Sequence, residues 1–320
     1  MGEQPALLSS SRHGTGPAPH LSILVPTYDR DVRPLCAELL ADIGALPDPS
    51  RVELLVLIDG NPALQQQEEI VARAEALGIA AGLAVAASNL GRSKARNALA
   101  QLARGRFLQF LDADGLPDAP GFVARALEAA QDPGVVVCGG RTGRRMDPAP
   151  PDARLFELQS QRREWIPAEE RNRDPNGTFL SANFTVARDL FLAHPFDERF
   201  EGWGWEDTEW ALRIGRAARM RHVDNTVSHM EHHADAAWLR KLIGSAENYA
   251  RLYRLYPEEV MRHRLFPLIR MMRPVAGWQG GRHMLRRLVL QNRLPASRRL
   301  LLLKILQAME YAHILRPRLS

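Results

Sequence analysis

Short apolar runs separated by stretches of helical spacing constrain this chain more than any other feature. Residues 21–25, Leu-Ser-Ile-Leu-Val, stop at Pro26; residues 52–58 stop at Asp59-Gly60-Asn61-Pro62. Runs of this length, closed by turn chemistry, read as buried strands. Helical spacing over 32–46 lies between them, and the alternation continues. It gives a helix at 63–77 closed by Gly78, a weak strand at 83–86, a helix at 93–103, a strand at 106–111, a helix at 119–130 and a strand at 135–138. Alternation of this kind predicts an α/β domain with a mainly parallel sheet flanked by helices. Residues 141–175 are polar, proline-rich and poorly periodic, so they read as a disordered or functional loop. Strand character returns at 179–187 and 220–227, with a helix at 206–217 between them. From 236 onward the spacing is helical, broken at Pro257, Pro267, Pro274, Gly280-Gly281 and Pro295.

Three regions follow: a disordered lead-in at 1–20, an α/β domain at 21–234 and a basic helical region at 235–320. The lead-in is rich in Ser, Gly and Pro and lacks the apolar stretch of a signal peptide. No run of 18 apolar residues is present to span a bilayer. Cys36 and Cys138 are flanked by apolar residues and read as buried thiols of a reducing, cytoplasmic compartment. Arginine outnumbers lysine 39 to 3, which points to a GC-rich, bacterial genome. Charge is divided unevenly: residues 1–234 sum to −7 and residues 235–320 to +12. The basic region could face phosphate or the inner, anionic face of a membrane. Packing on the rest of the chain, with solvated arginines, is the simpler reading, and nucleic acid is not expected as a partner. Oligomeric state is left open.

Two acidic elements carry the chemistry. In Asp112-Ala113-Asp114, extended backbone puts both carboxylates on one side at the end of a strand, where open α/β sheets bind ligands. Asp-x-Asp-Gly is also good turn chemistry. The second element is Gly202-Trp203-Gly204-Trp205-Glu206-Asp207-Thr208-Glu209-Trp210. Tryptophans beside a carboxylate pair suit a sugar ring and the deprotonation of a hydroxyl. Glu206-Asp207 also suits a helix N-terminus with no function at all, and the tryptophans suit a core.

Taken in order, LSILVPTYDR, NLGRSKARNALAQLARGRFLQFLDAD, SANFTVARDLF, FDERFEGWGWEDTEWALR and HMEHH resemble a family 2 glycosyltransferase of the GT-A fold. The resemblance is to the branch related to galactosyltransferases and chondroitin-type polymerases. It implies a nucleotide-diphospho-sugar transferase fold with a helical C-terminal extension. It also implies a metal-dependent, inverting hexosyltransferase of polysaccharide biosynthesis, with a UDP-sugar as first choice of donor and a carbohydrate-like or lipid-linked acceptor. By the same resemblance Asp114 ligates Mn2+ or Mg2+, with Asp112 on the ribose or the metal shell and His229 or His232 completing it. Pro26, Thr27, Tyr28, Asp59 and Ala113 would line the nucleotide pocket, and Arg92, Lys94 and Arg96 would meet the diphosphate. Asp207 would be the general base, Glu206 would hold acceptor hydroxyls, and Trp203, Trp205 and Asn183 would contact the acceptor. Two departures stand out. Ile58-Asp59 replaces a pair of consecutive aspartates, which opens the identity of the base, and His194-Pro195 replaces Gly-Gly. A non-catalytic sugar-nucleotide binder is the alternative. A nucleotidyltransferase is disfavoured because Pro26-Thr27-Tyr28-Asp29-Arg30 is no glycine-rich phosphate loop.

Overall fold

Each apolar run named above forms a strand in the computed structural model, which describes residues 6–11, 16–64 and 67–316. The strands are β1 (Ala6–Ser11), β2 (Leu21–Thr27), β3 (Val52–Ile58), β4 (Ala80–Val85), β5 (Phe107–Leu111) and β6 (Gly115–Pro117). They continue with β7 (Val135–Cys138), β8 (Arg141–Thr142), β9 (Asn183–Ala187), β10 (Arg219–His222) and β11 (Val227–His229). Eight build one sheet in the order β1-β4-β3-β2-β5-β9-β7-β10, and β6-β11-β8 form a small second sheet. From β4 through β3 and β2 to β5 the pairing is parallel; β9 runs antiparallel between β5 and β7.

Side chains alternate between the two faces of the large sheet, as period-two geometry requires. Ile23, Val25, Leu54 and Val56 pack on one side with Leu39 and Ile43 of α1 (Arg33–Gly44), Ile70 of α2 (Glu69–Ala76) and Phe122 of α4 (Phe122–Ala129). Leu24, Leu55, Leu57 and Phe110 pack on the other with Leu99 of α3 (Arg92–Leu102) and Phe191 of α7 (Arg188–Ala193). Trp210 of α8 (Glu206–Ile214) is fully buried there. Burial on both faces explains why these strands are continuous apolar runs rather than alternating ones.

The chain divides into two compact units. One comprises Met1–Met146, Glu164–Glu198 and Trp210–Met230; the other comprises Asp147–Arg163, Arg199–Glu209 and Glu231–Ser320. Both sheets belong to the first. The second contains α5 (Arg154–Arg163), α9 (Asp235–Gly244), α10 (Ala246–Leu255), α11 (Pro257–Arg262), α12 (Phe266–Met272), α13 (Gln279–Val289) and α14 (Ala296–Leu315). Its core gathers Leu155, Phe156, Trp238, Leu242, Val289, Leu303 and Leu306. Pro257 and Pro267 stand in the first turns of their helices and Pro295 caps α14, so they open helices rather than interrupt them. The second unit therefore begins near the expected boundary but also takes in 147–163 and 199–209. No helix among the described residues is long and apolar enough to cross a membrane.

Three expectations are corrected. The lead-in 1–20 lies partly outside the described residues, but Ala6–Ser11 within it pairs antiparallel with β4. Backbone pairing along an otherwise open edge needs no amphipathic pattern, so nothing in the composition announced it. The supposed loop 141–175 contains β8, α5 and α6 (Ala168–Arg171). The expected strand 220–227 is two strands, β10 and β11, in different sheets.

Arg171 shows why the 141–175 segment is ordered. Its guanidinium is buried and donates to Cys138 O at 3.3 Å, Gly139 O at 3.3 Å, Val223 O at 3.0 Å and His222 Nδ1 at 2.8 Å. Since Arg171 can only donate and Pro175 O, 2.9 Å from Nε2, can only accept, His222 is the neutral Nε2–H tautomer. Burial, and then the Arg171 charge, hold the ring below its ordinary value of 6.5. The unfolded chain therefore takes up this proton first as pH falls. The His222 contribution to stability is whole above pH 6.5 and lost as pH drops from there toward the depressed folded value. Urea unfolding at a series of pH values should show that loss in the parent protein and a flatter profile in His222→Gln.

Candidate active site

The carboxyl ends of β2, β3 and β5 carry the expected nucleotide and metal residues, and hydrogen bonding fixes each. Thr27 ends β2, with its hydroxyl donating to Arg30 O at 2.8 Å; Pro26 is half-buried and Tyr28 exposed. Asp59 follows β3 and is buried. Its two carboxylate oxygens accept from the amides of Leu90 at 2.6 Å and Gly91 at 3.0 Å. Burial pushes this carboxyl up, and the two amides work against that shift. Next to it Gly60 has φ +74°, and a Cβ there would stand 2.2 Å from the Ser88 carbonyl carbon, so only glycine fits. Asp59 thus fastens the loop from which α3 starts.

From that start, α3 delivers its charges by phase. Arg92 and Arg96, four residues apart, share one face and both reach Asp112: Arg96 Nη2 lies 2.5 Å from Oδ1 and Arg92 Nη2 lies 3.7 Å from Oδ2. Lys94 is on another face and exposed. Ala113 packs on the apolar core, and the chain turns here instead of staying extended as expected: β5 ends at Leu111, and Gly115 N donates to Asp112 O at 3.1 Å.

Asp114 meets a histidine through sheet register. β11 pairs antiparallel with β6, setting His229 opposite Gly115, and Met230 N donates to Asp114 O at 2.8 Å. His229 Nε2 consequently lies 2.9 Å from Asp114 Oδ2. Neighbouring ligands at right angles around an ion at ~2.1 Å would be about 3 Å apart, so this pair suits one small divalent cation. Asp114 Oδ1 is buried and accepts no hydrogen bond, as a ligand oxygen would be left. Hard oxygen with imidazole nitrogen is a donor set for Mn2+. Sequence reading missed Arg141 of β8, whose Nη2 stands 3.7 Å from Asp114 Oδ1. Its place in a two-residue strand had no local signal.

The HMEHH run divides: His229 closes the first unit, while His232 and His233 fall in the second. His232 Nδ1 is buried and makes no hydrogen bond. His233 stacks on Trp238 and meets Phe156 edge-on, which is packing. Asn183 of β9 is also scaffold. Its amide donates to Gly140 O at 3.0 Å and Asn225 O at 2.9 Å and accepts from Gln109 at 2.7 Å, so its polar atoms are all engaged inside the sheet.

In the second unit, Trp205 has φ +74° and is the non-glycine residue with positive φ among those described. A tryptophan is held there only under constraint. The constraint is visible: Nε1 donates to Tyr311 Oη at 3.0 Å, and the ring packs at 4.8 Å on Tyr249 and 5.5 Å on His263. Trp203 packs edge-on against Trp238 at 5.2 Å. Glu206, next along, is buried at the start of α8; Asp207 is half-buried, with Oδ1 accepting from Thr208 N at 2.8 Å. His194 and Pro195 present carbonyls to the same helix, accepting from Trp210 Nε1 at 2.8 Å and Arg213 Nη2 at 2.7 Å.

The family model for glycosyl transferase family 2 matches residues 22–192. The chain belongs to that family. As a family 2 glycosyl transferase it has the GT-A type of fold, a mainly parallel sheet flanked by helices with a helical C-terminal part. Its fold is similar to that of the mannosyltransferase PcManGT from Pyrobaculum calidifontis, solved in complex with GDP-Man and Mn2+. That likeness has 17% identity, covers 97% of this chain and 92% of that one, and has a TM-score of 0.57. S. aureus TarS matches at 18% identity and a TM-score of 0.47 over 72% of this chain, which spans 39% of the TarS chain. No curated protein matches the sequence.

Truncating Arg96 would leave the Asp112 carboxylate at the sheet end without its main counter-charge. Arg96→Ala should lose about 3 kcal/mol of stability by urea unfolding. Lys94→Ala, on the exposed face of the same helix, should stay within about 0.5 kcal/mol of the parent.

Proposed function

We propose that this protein is a metal-dependent, inverting glycosyltransferase. It would move a hexose from a nucleoside diphosphate sugar, a UDP-sugar as first choice, to a hydroxyl of a carbohydrate-like or lipid-linked acceptor. The observation that carries the reading is the pairing of Asp114 with His229 at 2.9 Å beside an Asp112 held by Arg96. A divalent ion on Asp114 and His229 would supply positive charge against the departing diphosphate. Arg92, partly exposed at the start of α3, is placed to add to it, with Lys94 on the outer face. Pro26, Thr27, Tyr28 and Asp59 would border the nucleoside. Both Asp59 oxygens are taken by backbone amides, so this residue would shape the pocket more than read a base edge.

Asp207 takes the acceptor proton in this reading, and buried Glu206 orients the hydroxyl. Trp203 and Trp205 would form the acceptor wall from positions fixed by their ring contacts. A guanosine donor is the second reading, favoured by the likeness to PcManGT with its GDP-Man. A non-catalytic sugar-nucleotide binder is disfavoured, because it has no use for Asp112, Asp114, Glu206 and Asp207 together. Peripheral membrane contact through the basic helices belongs to the lipid-linked version of the acceptor.

EDTA should abolish donor hydrolysis and sugar transfer, and Mn2+ should restore both; full activity in chelator would remove the metal from the reading. UDP and GDP competing against the donor would decide the base. Asp114→Ala should lose metal-dependent donor binding. Asp207→Asn should keep it while turnover falls about 100-fold or more. Near-normal turnover in Asp207→Asn would move the base to Glu206.

A further inference from the structure

The second unit contains a cavity of about 190 Å³ bordered by α5 and α14, with Gln159, Arg162, Arg163, Ser297 and Lys304 around two leucines. Three positive side chains converge on it. Among the described residues no acidic side chain forms an ion pair with any of the three. Other arginines of this unit are matched: Arg299 pairs with Asp235, and Arg282 and Arg286 lie 3.2 and 2.7 Å from Glu310.

Two further observations point to a ligand. Gln159 Oε1 is buried and makes no hydrogen bond. An amide can turn about its last bond, so the same side chain can present its N–H group to an acceptor in the cavity. Lys304 is held by one long contact, Nζ to Gln307 Oε1 at 3.3 Å. Burial, and then the Arg163 charge, draw its ammonium down to about 8. His263 faces the same charges and is lowered by burial, then by Arg163 and Lys304. Lys304, Arg163 and His263 are thus each disfavoured in the charged form until an anion arrives.

We propose that this cavity is a binding site for a phosphoryl group, a phosphate or diphosphate ester held by Arg162, Arg163 and Lys304 with Gln159 and Ser297 as neutral donors. Guanidinium forks match the oxygens of a phosphoryl group, and its two negative charges answer three cations better than one carboxylate does. The volume is several times the ~30 Å³ share of a water molecule, room for one or two such groups. Leu301 at the mouth is 62% exposed, so the ester can be a free anion or the headgroup of a lipid. The site needs no transferase activity and shares no residue with the proposed donor site.

A hydrogen-bonded line runs from the cavity to the turn before Glu206. Lys304 donates to Gln307, Gln307 Nε2 donates to Tyr311 Oη at 3.1 Å, and Trp205 Nε1 donates to the same oxygen at 3.0 Å. An anion that draws Lys304 toward itself changes the first member of that line.

Inorganic pyrophosphate, titrated calorimetrically into the full chain in EDTA at constant ionic strength, is the direct test. Saturable binding should tighten as pH falls through about 8, where Lys304 becomes charged. It should weaken at least tenfold in Arg163→Gln/Lys304→Gln and persist in Arg92→Gln. Lys304→Met removes a desolvated charge, so it should fold at least as stably as the parent yet bind more weakly. Vesicles of phosphatidylcholine with phosphatidic acid, against phosphatidylcholine alone, separate the sources. Binding to the former, lost in the double variant, marks a lipid headgroup; pyrophosphate binding without vesicle binding marks a soluble ester. No binding of either probe, or binding undiminished in Arg163→Gln/Lys304→Gln, would overturn the site.

Discussion

Two carboxylates in the turn that closes a buried strand repel each other and are costly to desolvate unless positive charge meets them. That demand along Asp112-Ala113-Asp114 organises the first unit. It sets the phase of α3, whose Arg92 and Arg96 face Asp112 while Lys94 does not. It makes the origin of α3 matter, and that origin is fastened by Asp59 through the amides of Leu90 and Gly91. It also gives a purpose to the three-stranded sheet. β6 and β11 place His229 beside Asp114, and the parallel pairing of β8 with β11 carries Arg141 to the same carboxylate. The electrostatics around these carboxylates are set by strand register and helix phase.

What could be read in advance follows from which physical signals are local. The strands of the large sheet are buried on both faces, so residues 52–58 are apolar but for Glu53, residues 135–138 are wholly apolar, and their bounds were plain. The Asp112-Ala113-Asp114-Gly115 segment was legible as turn chemistry at a strand end, whereas the extended geometry expected through it gives way to a turn closed by Gly115 N on Asp112 O. The phase of α3 was legible too, since positions 92 and 96 must share a face and 94 cannot; grouping all three arginine and lysine residues together overlooked it. By contrast, α6 is ordered by a single buried arginine whose partners are carbonyls remote in sequence. A polar segment of that kind looks like loop until the tertiary contacts exist. The strand at Ala6–Ser11 and the role of Arg141 were hidden for the same reason. Asn183 was misjudged because a conspicuous polar residue in a strand suggests a ligand, whereas here its amide ties β9 to the ends of two other segments.

Cations of the second unit stand in two different settings. Arg282, Arg286 and Arg299 are held by Glu310 and Asp235 and serve the packing of α9, α13 and α14. Arg162, Arg163 and Lys304 have no such acids among the described residues and border a cavity. Net charge by itself could not separate these, because it counts matched and unmatched side chains alike. The difference bears on how the region meets its surroundings. A uniformly solvated basic surface attracts any polyanion and is screened by salt, whereas cations gathered at one cavity beside neutral donors can also select by shape.

Trp205 carries one more consequence. Its left-handed backbone is maintained by Tyr249 and by the hydroxyl of Tyr311, 106 residues further along the chain. A nascent chain emerging from the ribosome can close the large sheet early, since all its strands precede residue 223. The turn ahead of Glu206 and Asp207 cannot be set until Tyr311 of α14 has been added. Order of synthesis thus becomes a safeguard: a fragment interrupted before α14 would have Asp112, Asp114 and His229 in place while its Glu206-Asp207 pair still lacked the turn that orients it.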